Sequence, residues 1–161
     1  GNGGTSGNLG SGTITDNGSL IINRSDAVAI TTVISGTGSL SQSGLGTTTL
    51  SGTNTYSGGT NVVTGILKIG DGTNNGQIGS NTVNIASGAV LDFNVKASTS
   101  ANYSTGNTFT GTGTLKKSGA GTLTWGSASG VFATISFMIS ASVPKELGSP
   151  ALANNSGAMA K

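Results

Sequence analysis

A long internal repeat constrains this chain more than any other feature. The stretch from Gly36 reads GTGSLSQSGLGTTTLSG and the stretch from Gly111 reads GTGTLKKSGAGTLTWGS. They align without a gap, sharing Gly36/Gly111, Gly38/Gly113, Leu40/Leu115, Gly44/Gly119 and Gly46/Gly121. A weaker echo, GSGTITDNGSLII, opens at Gly10. Self-similarity at a fixed period is the signature of architectures that stack one unit on the next. The offset of 75 residues, Gly36 to Gly111, is too long for one coil of a β-solenoid, roughly 20–25 residues. It suits about three coils per sequence period.

Between these marks the chain breaks into short runs bounded by turns. Strands are expected at Gly12–Thr15, Gly18–Asn23, Ala27–Ile34, Gly38–Ser41, Thr47–Ser51, Thr60–Thr64, Gly65–Ile69, Asn81–Ala86, Ala89–Asn94, Thr108–Thr110, Gly113–Lys116 and Gly121–Trp125. In Ser19-Leu20-Ile21-Ile22-Asn23, Ile66-Leu67-Lys68-Ile69 and Thr82-Val83-Asn84-Ile85 apolar and polar residues alternate, which marks strands with one buried face. The connections carry Asn17-Gly18, Gly58-Gly59, Asp71-Gly72 and Asn75-Gly76, residues suited to tight turns. An isolated hairpin would use the same dipeptides. Periodicity alone therefore leaves a β-sandwich open beside the solenoid.

Composition removes other classes. Charged residues are 7% of the chain against about a quarter in ordinary proteins. A disordered chain combines low hydrophobicity with high net charge; this one has little charge and a steady supply of Val, Ile and Leu. Its 29 glycines show no every-third period, which excludes collagen. The formal charge of +2 comes from scattered residues, and Lys116-Lys117 is the only basic pair, so no nucleic-acid partner is expected. With no cysteine, neither a disulfide framework nor a Cys-based zinc site is available. The apolar stretch Val131 to Val143 is too short and too interrupted to span a bilayer as a helix. The chain opens at Gly1 in a repeat-like Gly/Asn run, as a fragment of a longer protein would.

The run GTTTLSGTNTYSGGTNVVTGILKIG, from Gly46 to Gly70, adds a family likeness. It resembles the autotransporter-associated β-strand repeat, also called the passenger-associated transport repeat. That family opens as Gly-x-Gly-x-Leu-x-Lys-x-Gly-x-Gly-Thr-Leu-x-Leu, continues with Asn-Thr-Tyr-x-Gly-Gly-Thr, and closes on a Gly-x-Leu strand. Here the opening is Gly36 to Leu50, the centre Asn54-Thr55-Tyr56-Ser57-Gly58-Gly59-Thr60, and the close Gly65-Ile66-Leu67. The likeness covers residues 10 to 125. The second copy keeps the opening through Trp125, where the family has an aliphatic residue, then lacks the Asn-Thr-Tyr centre.

The resemblance implies an all-β fold, a single-stranded right-handed parallel β-helix. It would fill residues 1–126, followed by an atypical C-terminal tail, 127–161, expected as a cap, a truncated repeat, or a disordered or non-family segment. Val131 to Ser142 within that tail is a capping strand or helix, or a segment of foreign origin. The implied setting is the surface of a Gram-negative bacterium, reached through a C-terminal outer-membrane β-barrel of the same polypeptide. The implied role is a structural stalk that supports its own export and folding. An adhesin for host or surface glycans is the alternative, followed by a polysaccharide-cleaving β-helix enzyme.

Candidate chemistry is sparse. There is no histidine, and the acids Asp16, Asp26, Asp71, Asp92 and Glu146 stand singly. Cleavage of a glycan would need carboxylates brought together, and Asp16, Asp71 and Asp92 are the set that coiling would have to unite. Asp16 and Asp71 stand in ordinary turn contexts. Gly70-Asp71-Gly72-Thr73 suggests a calcium turn without meeting the nonapeptide pattern. Gly36-Thr37-Gly38 lacks the Lys-Ser/Thr of a phosphate loop. Tyr56 is expected to pack against the next coil, and Trp125 to sit partly buried at a coil end or stack on a sugar. Thr31-Thr32 and Thr47-Thr48-Thr49 would form a hydroxyl ladder if they lined one flat face. No catalytic, metal or cofactor residue is assigned, no cofactor is expected, and the chain is read as not an enzyme.

Overall fold

The computed structural model describes residues 1–102, 107–124 and 136–139. Fifteen strands run through them, with no helix: β1 Ile14–Thr15, β2 Ser19–Ile22, β3 Ala27–Ile30, β4 Ile34–Ser35, β5 Ser39–Gln42, β6 Thr47–Leu50, β7 Thr60–Val62, β8 Ile66–Ile69, β9 Asn81–Ile85, β10 Val90–Asn94, β11 Ser100–Asn102, β12 Asn107–Gly111, β13 Thr114–Ser118, β14 Thr122–Thr124 and β15 Ser136–Ile139. Every strand pairing is parallel, and each strand pairs with its equivalent one coil away. The fold is a parallel β-solenoid of three faces. The middle face is β2-β5-β7-β9-β12 and the third is β3-β6-β8-β10-β13-β15. The first face is shorter, made of β1-β4 and β11-β14 with a single Thr53–Gln77 bridge between them. The five-stranded middle face counts five coils.

The period-2 alternation read from the sequence is the alternation of inside and outside. Leu20, Leu40, Thr60, Val83 and Phe109 stack in one inward column of the middle face. On the third face Val28, Thr48, Leu67, Leu91 and Leu115 form one inward column. Ile30, Leu50, Ile69, Phe93 and Lys117 form the other. Most of these aliphatic and aromatic side chains are buried, and Phe93 meets Phe109 edge to face, centroids 6.3 Å apart. Burying such side chains supplies about 1.5–3 kcal/mol each, while the ladder satisfies the backbone.

Two expectations about organisation are corrected. Ala27–Ile34 is not one strand: it breaks into β3 and β4 around Thr31, Thr32 and Val33, which turn a corner. The 75-residue period is not a whole number of coils. Leu40 lies on the middle face, and its repeat counterpart Leu115 lies on the third. Ile14, the counterpart in the echo, lies on the first. The period is therefore three coils plus one face. The unit that repeats is a strand, a corner and a second strand, and the solenoid uses it at all three of its corners. Coil lengths vary, from 20 residues at Ile34–Asn54 to 26 at Asn84–Thr110, so residue counting does not preserve the face.

The repeated glycines share one cause. Gly36 and Gly111 adopt φ of 104° and 102°, and a Cβ on either would fall 2.1 or 2.0 Å from a carbonyl oxygen of the coil before, Asp16 or Ile85. Gly10 of the echo also has positive φ, 77°, yet a Cβ there would meet nothing within 4 Å. It belongs to the first coil of the described residues, and none of them lies beneath it.

Candidate functional site

The centre of the family-like segment lies wholly within the wall of the solenoid. Asn54 is buried and bridges three coils: its Oδ1 accepts the N–H of Ile34 at 2.8 Å and its Nδ2 donates to the Gln77 carbonyl at 2.7 Å. Tyr56 is fully buried, its hydroxyl paired with Thr60 Oγ1 at 2.7 Å. A Cβ on Gly79 would fall 2.5 Å from the Tyr56 ring, so the ring packs against the next coil, as the sequence reading expects. Burial pushes the Tyr56 phenol above its usual range, with the Thr60 hydrogen bond opposing the shift. These side chains present nothing to a ligand.

The three aspartates considered for catalysis share no turn and no register position. Asp16 sits at the corner after β1, its Oδ1 accepting the Gly18 N–H at 2.9 Å, and its carboxylate covers Gly38. Asp71 is exposed after β8. Its Oδ1 accepts the N–H groups of Thr73 (2.8 Å) and Asn74 (2.6 Å), and its Oδ2 accepts from Asn74 Nδ2 at 3.2 Å. The Asn74 N–H is the chief reason its carboxyl is held below the usual range. Its lone pairs are thus turned to local donors, the pattern of an Asx turn. Asp92 is buried on the outward side of β10, stacked in register between Lys68 and Lys116. Its Oδ2 is 3.7 Å from Lys116 Nζ. Among the described residues no three His, Cys, Asp or Glu side chains cluster as metal ligands would.

The remaining candidates resolve into packing. Asp26 receives both ends of the Arg24 guanidinium, at 2.8 and 2.6 Å, which lowers its carboxyl below the usual range. The N–H of Gly38 donates to the Asp16 carbonyl and that of Thr37 to Asn17 Oδ1; these groups serve coil stacking and cradle no phosphate. The threonine rows form no hydroxyl ladder: Thr48 points inward and donates to Gln42 Oε1 at 2.5 Å, while Thr31 and Thr32 stand at a corner. Trp125 and Glu146 lie outside the described residues, as does Val131 to Ser142 apart from β15, which adds to the free edge of β13.

Sequence reasoning missed one feature of the interior. Gln42 and Lys117 are equivalent repeat positions, and both side chains point inward. Gln42 Nε2 donates to the Gly44 carbonyl at 2.8 Å, and Lys117 Nζ donates to the Gly119 carbonyl at 2.6 Å. The signal was present in the aligned copies: a polar residue two places before a shared glycine.

A cleft of about 180 Å³ remains at the N-terminal end, between residues 7–10 and the first coil. Among the described residues no helix is long and apolar enough to cross a membrane. Comparison with protein-family models, with curated proteins and with solved structures matched none of them to this chain.

Proposed function

We propose that the chain is a structural spacer: a stalk segment of a secreted bacterial autotransporter passenger, displayed at the surface of a Gram-negative cell and carrying no enzymatic activity. One observation supports this reading above the others. The residues that carry the family likeness, Asn54, Tyr56 and Thr60, are buried and hydrogen-bonded within the wall: Asn54 bonds to the coils on both sides, and the Tyr56 and Thr60 hydroxyls pair with each other inside one coil. A segment whose most distinctive residues are consumed by the wall itself suits a scaffold.

Coil-on-coil stacking also suits export of an unfolded chain. Stability in such arrays is close to a sum of nearest-neighbour terms, so folding spreads from one end. Folding outside the cell then opposes backward movement, and the lack of cysteine leaves no disulfide to form early. The partner in this reading is a C-terminal outer-membrane β-barrel of the same polypeptide.

The test is surface display. The chain is placed between an export signal and an outer-membrane barrel in a Gram-negative host, and protease-resistant passenger on intact cells is measured. Asn54→Ala and Tyr56→Ala should each lower it several-fold with barrel insertion unchanged. Equal display by both variants would sink the reading, as would depolymerisation of a polysaccharide by the purified chain.

A further inference from the structure

We propose that Asp92 and Lys116 are a self-modifying pair, which condenses into an amide between the two side chains and ties successive coils covalently.

Neighbouring coils enclose Asp92 on both sides. Its strand β10 pairs with β8 on one edge and β13 on the other, and β13 carries β15 beyond it. Lys68 and Lys116 flank Asp92 in register, one coil before and one coil after. Two residues earlier on the same outward side stand Ile66 and Val90, also in register and half-buried, an apolar shoulder to the row.

The carboxylate is enclosed yet unsatisfied. Asp92 points out of the solenoid, but only 3% of it is exposed. Its Oδ1 is buried without a hydrogen-bond partner. Its Oδ2 meets the Lys116 amine at 3.7 Å, an ion pair too long for a hydrogen bond. A buried charge is costly unless it is paired and hydrogen-bonded, and a buried polar atom left alone calls for a reason. The other acids with close partners differ. Asp26 accepts twice from the Arg24 guanidinium, and Asp71 accepts three bonds within its turn.

Condensation removes the unsatisfied charge. The Lys116 ammonium passes one proton to the carboxylate, leaving an amine, which is a nucleophile, beside a carboxylic acid. Nζ bonds to Cγ, the bond from Cγ to the hydroxyl breaks, and the hydroxyl leaves as water with a second proton from Nζ. One cation and one anion become a neutral amide and one water, with no oxidant or co-reactant. The charge of Lys68, one coil away, favours the negative oxygen of the tetrahedral stage. The Lys116 side chain is 37% exposed, so the water has a way out, while the enclosed Cγ is shielded from hydrolysis. The inference stands apart from the stalk reading, because it concerns one pair of side chains in the wall. It gives a chain without cysteine a covalent tie between coils.

The experiment is the intact mass of the full chain, folded and purified. It should be lighter than the sequence requires by one water. After proteolysis, the fragments around Asp92 and Lys116 should be recovered as one branched species. Lys116→Arg keeps a positive charge beside Asp92 but offers no amine to acylate, and should restore the full mass. Lys68→Met leaves both reacting groups in place and should lower the linked fraction several-fold in a fresh preparation. The proposal is overturned if the unaltered chain has its full sequence mass. It fails equally if the missing water maps to a cyclic imide at an aspartate, or if Lys116→Arg still yields the branched species.

Discussion

Lys117 Nζ donates to the Gly119 carbonyl at 2.6 Å from a position inside the solenoid wall. Burial holds this amine below its usual range, and the charge of Asp92 opposes the shift only in part. A folded value below the unfolded one means that the unfolded chain binds more protons between the two. Stability therefore rises with pH through that window, up to the unfolded lysine value of about 10.4. Gln42 makes the equivalent bond to Gly44 without a charge. Lys117→Gln should stabilise the chain at neutral pH by less than about 1 kcal/mol, since solvent screens part of the charge, and abolish the rise. Urea midpoints from neutral to alkaline pH, in both proteins, measure it.

Asn54 closes two buried backbone groups at once. Asn54→Ala would leave the Ile34 N–H and the Gln77 carbonyl without their partner. An unsatisfied buried group costs about 1–3 kcal/mol. The expected loss is about 2–4 kcal/mol, read as a fall in urea midpoint at constant slope. Hydrogen exchange should show the Ile34 amide losing protection more than amides two coils away.

The glycines at matching repeat positions should not respond alike. Gly36→Ala and Gly111→Ala each put a methyl against a carbonyl of the preceding coil at a φ that L side chains avoid. Strain and overpacking together should cost about 2–4 kcal/mol. Gly10→Ala meets open space and should cost only the φ penalty, about 1 kcal/mol. Thermal melts of the three variants give the ranking; equal losses would refute the assignment of steric crowding to coil stacking.

Asp71 provides an acid-sensitive turn. Its carboxyl is held low, chiefly by the Asn74 N–H. Its contribution is therefore complete above the unfolded value of about 3.9 and is lost as pH falls through the lower folded one. The group is exposed, so the effect on overall stability should stay under about 1 kcal/mol. Asp71→Ala should flatten the acid limb of the stability curve slightly, and amide exchange at Thr73 and Asn74 should quicken in the variant at neutral pH.

Much of this architecture was legible in the sequence because a strand with one buried face writes a period of two. Leu67 and Ile69 in β8, and Val83 and Ile85 in β9, point inward as their alternation requires. β11, Ser100–Asn102, contains no aliphatic residue larger than alanine and left no such trace. The corner at Thr31 to Val33 was hidden because β-branched residues suit strand and corner alike. Tyr56 was readable as packing; the three-coil bridge of Asn54 was not, since its partners are 20 and 23 residues away. The stacking of Lys68, Asp92 and Lys116 depends on register between residues 24 apart in successive coils, which no local pattern encodes.

Genetic exchange between the two repeat copies would have an unusual result. Crossing over within the matched segments, from Gly36 onto Gly111, would delete three coils and one further side of the triangle. Every strand downstream would then be turned by a third of a revolution: β13 would inherit the place of β5, and Lys117 the place of Gln42. The lost length would be accompanied by a change in which residues look out of each side. Because the strand–corner–strand unit fits any corner, such a recombinant keeps a plausible wall while its surface is permuted. Ordinary tandem repeats, whose period equals whole turns, lengthen and shorten with their surfaces unchanged; this one couples every such change in length to a rotation.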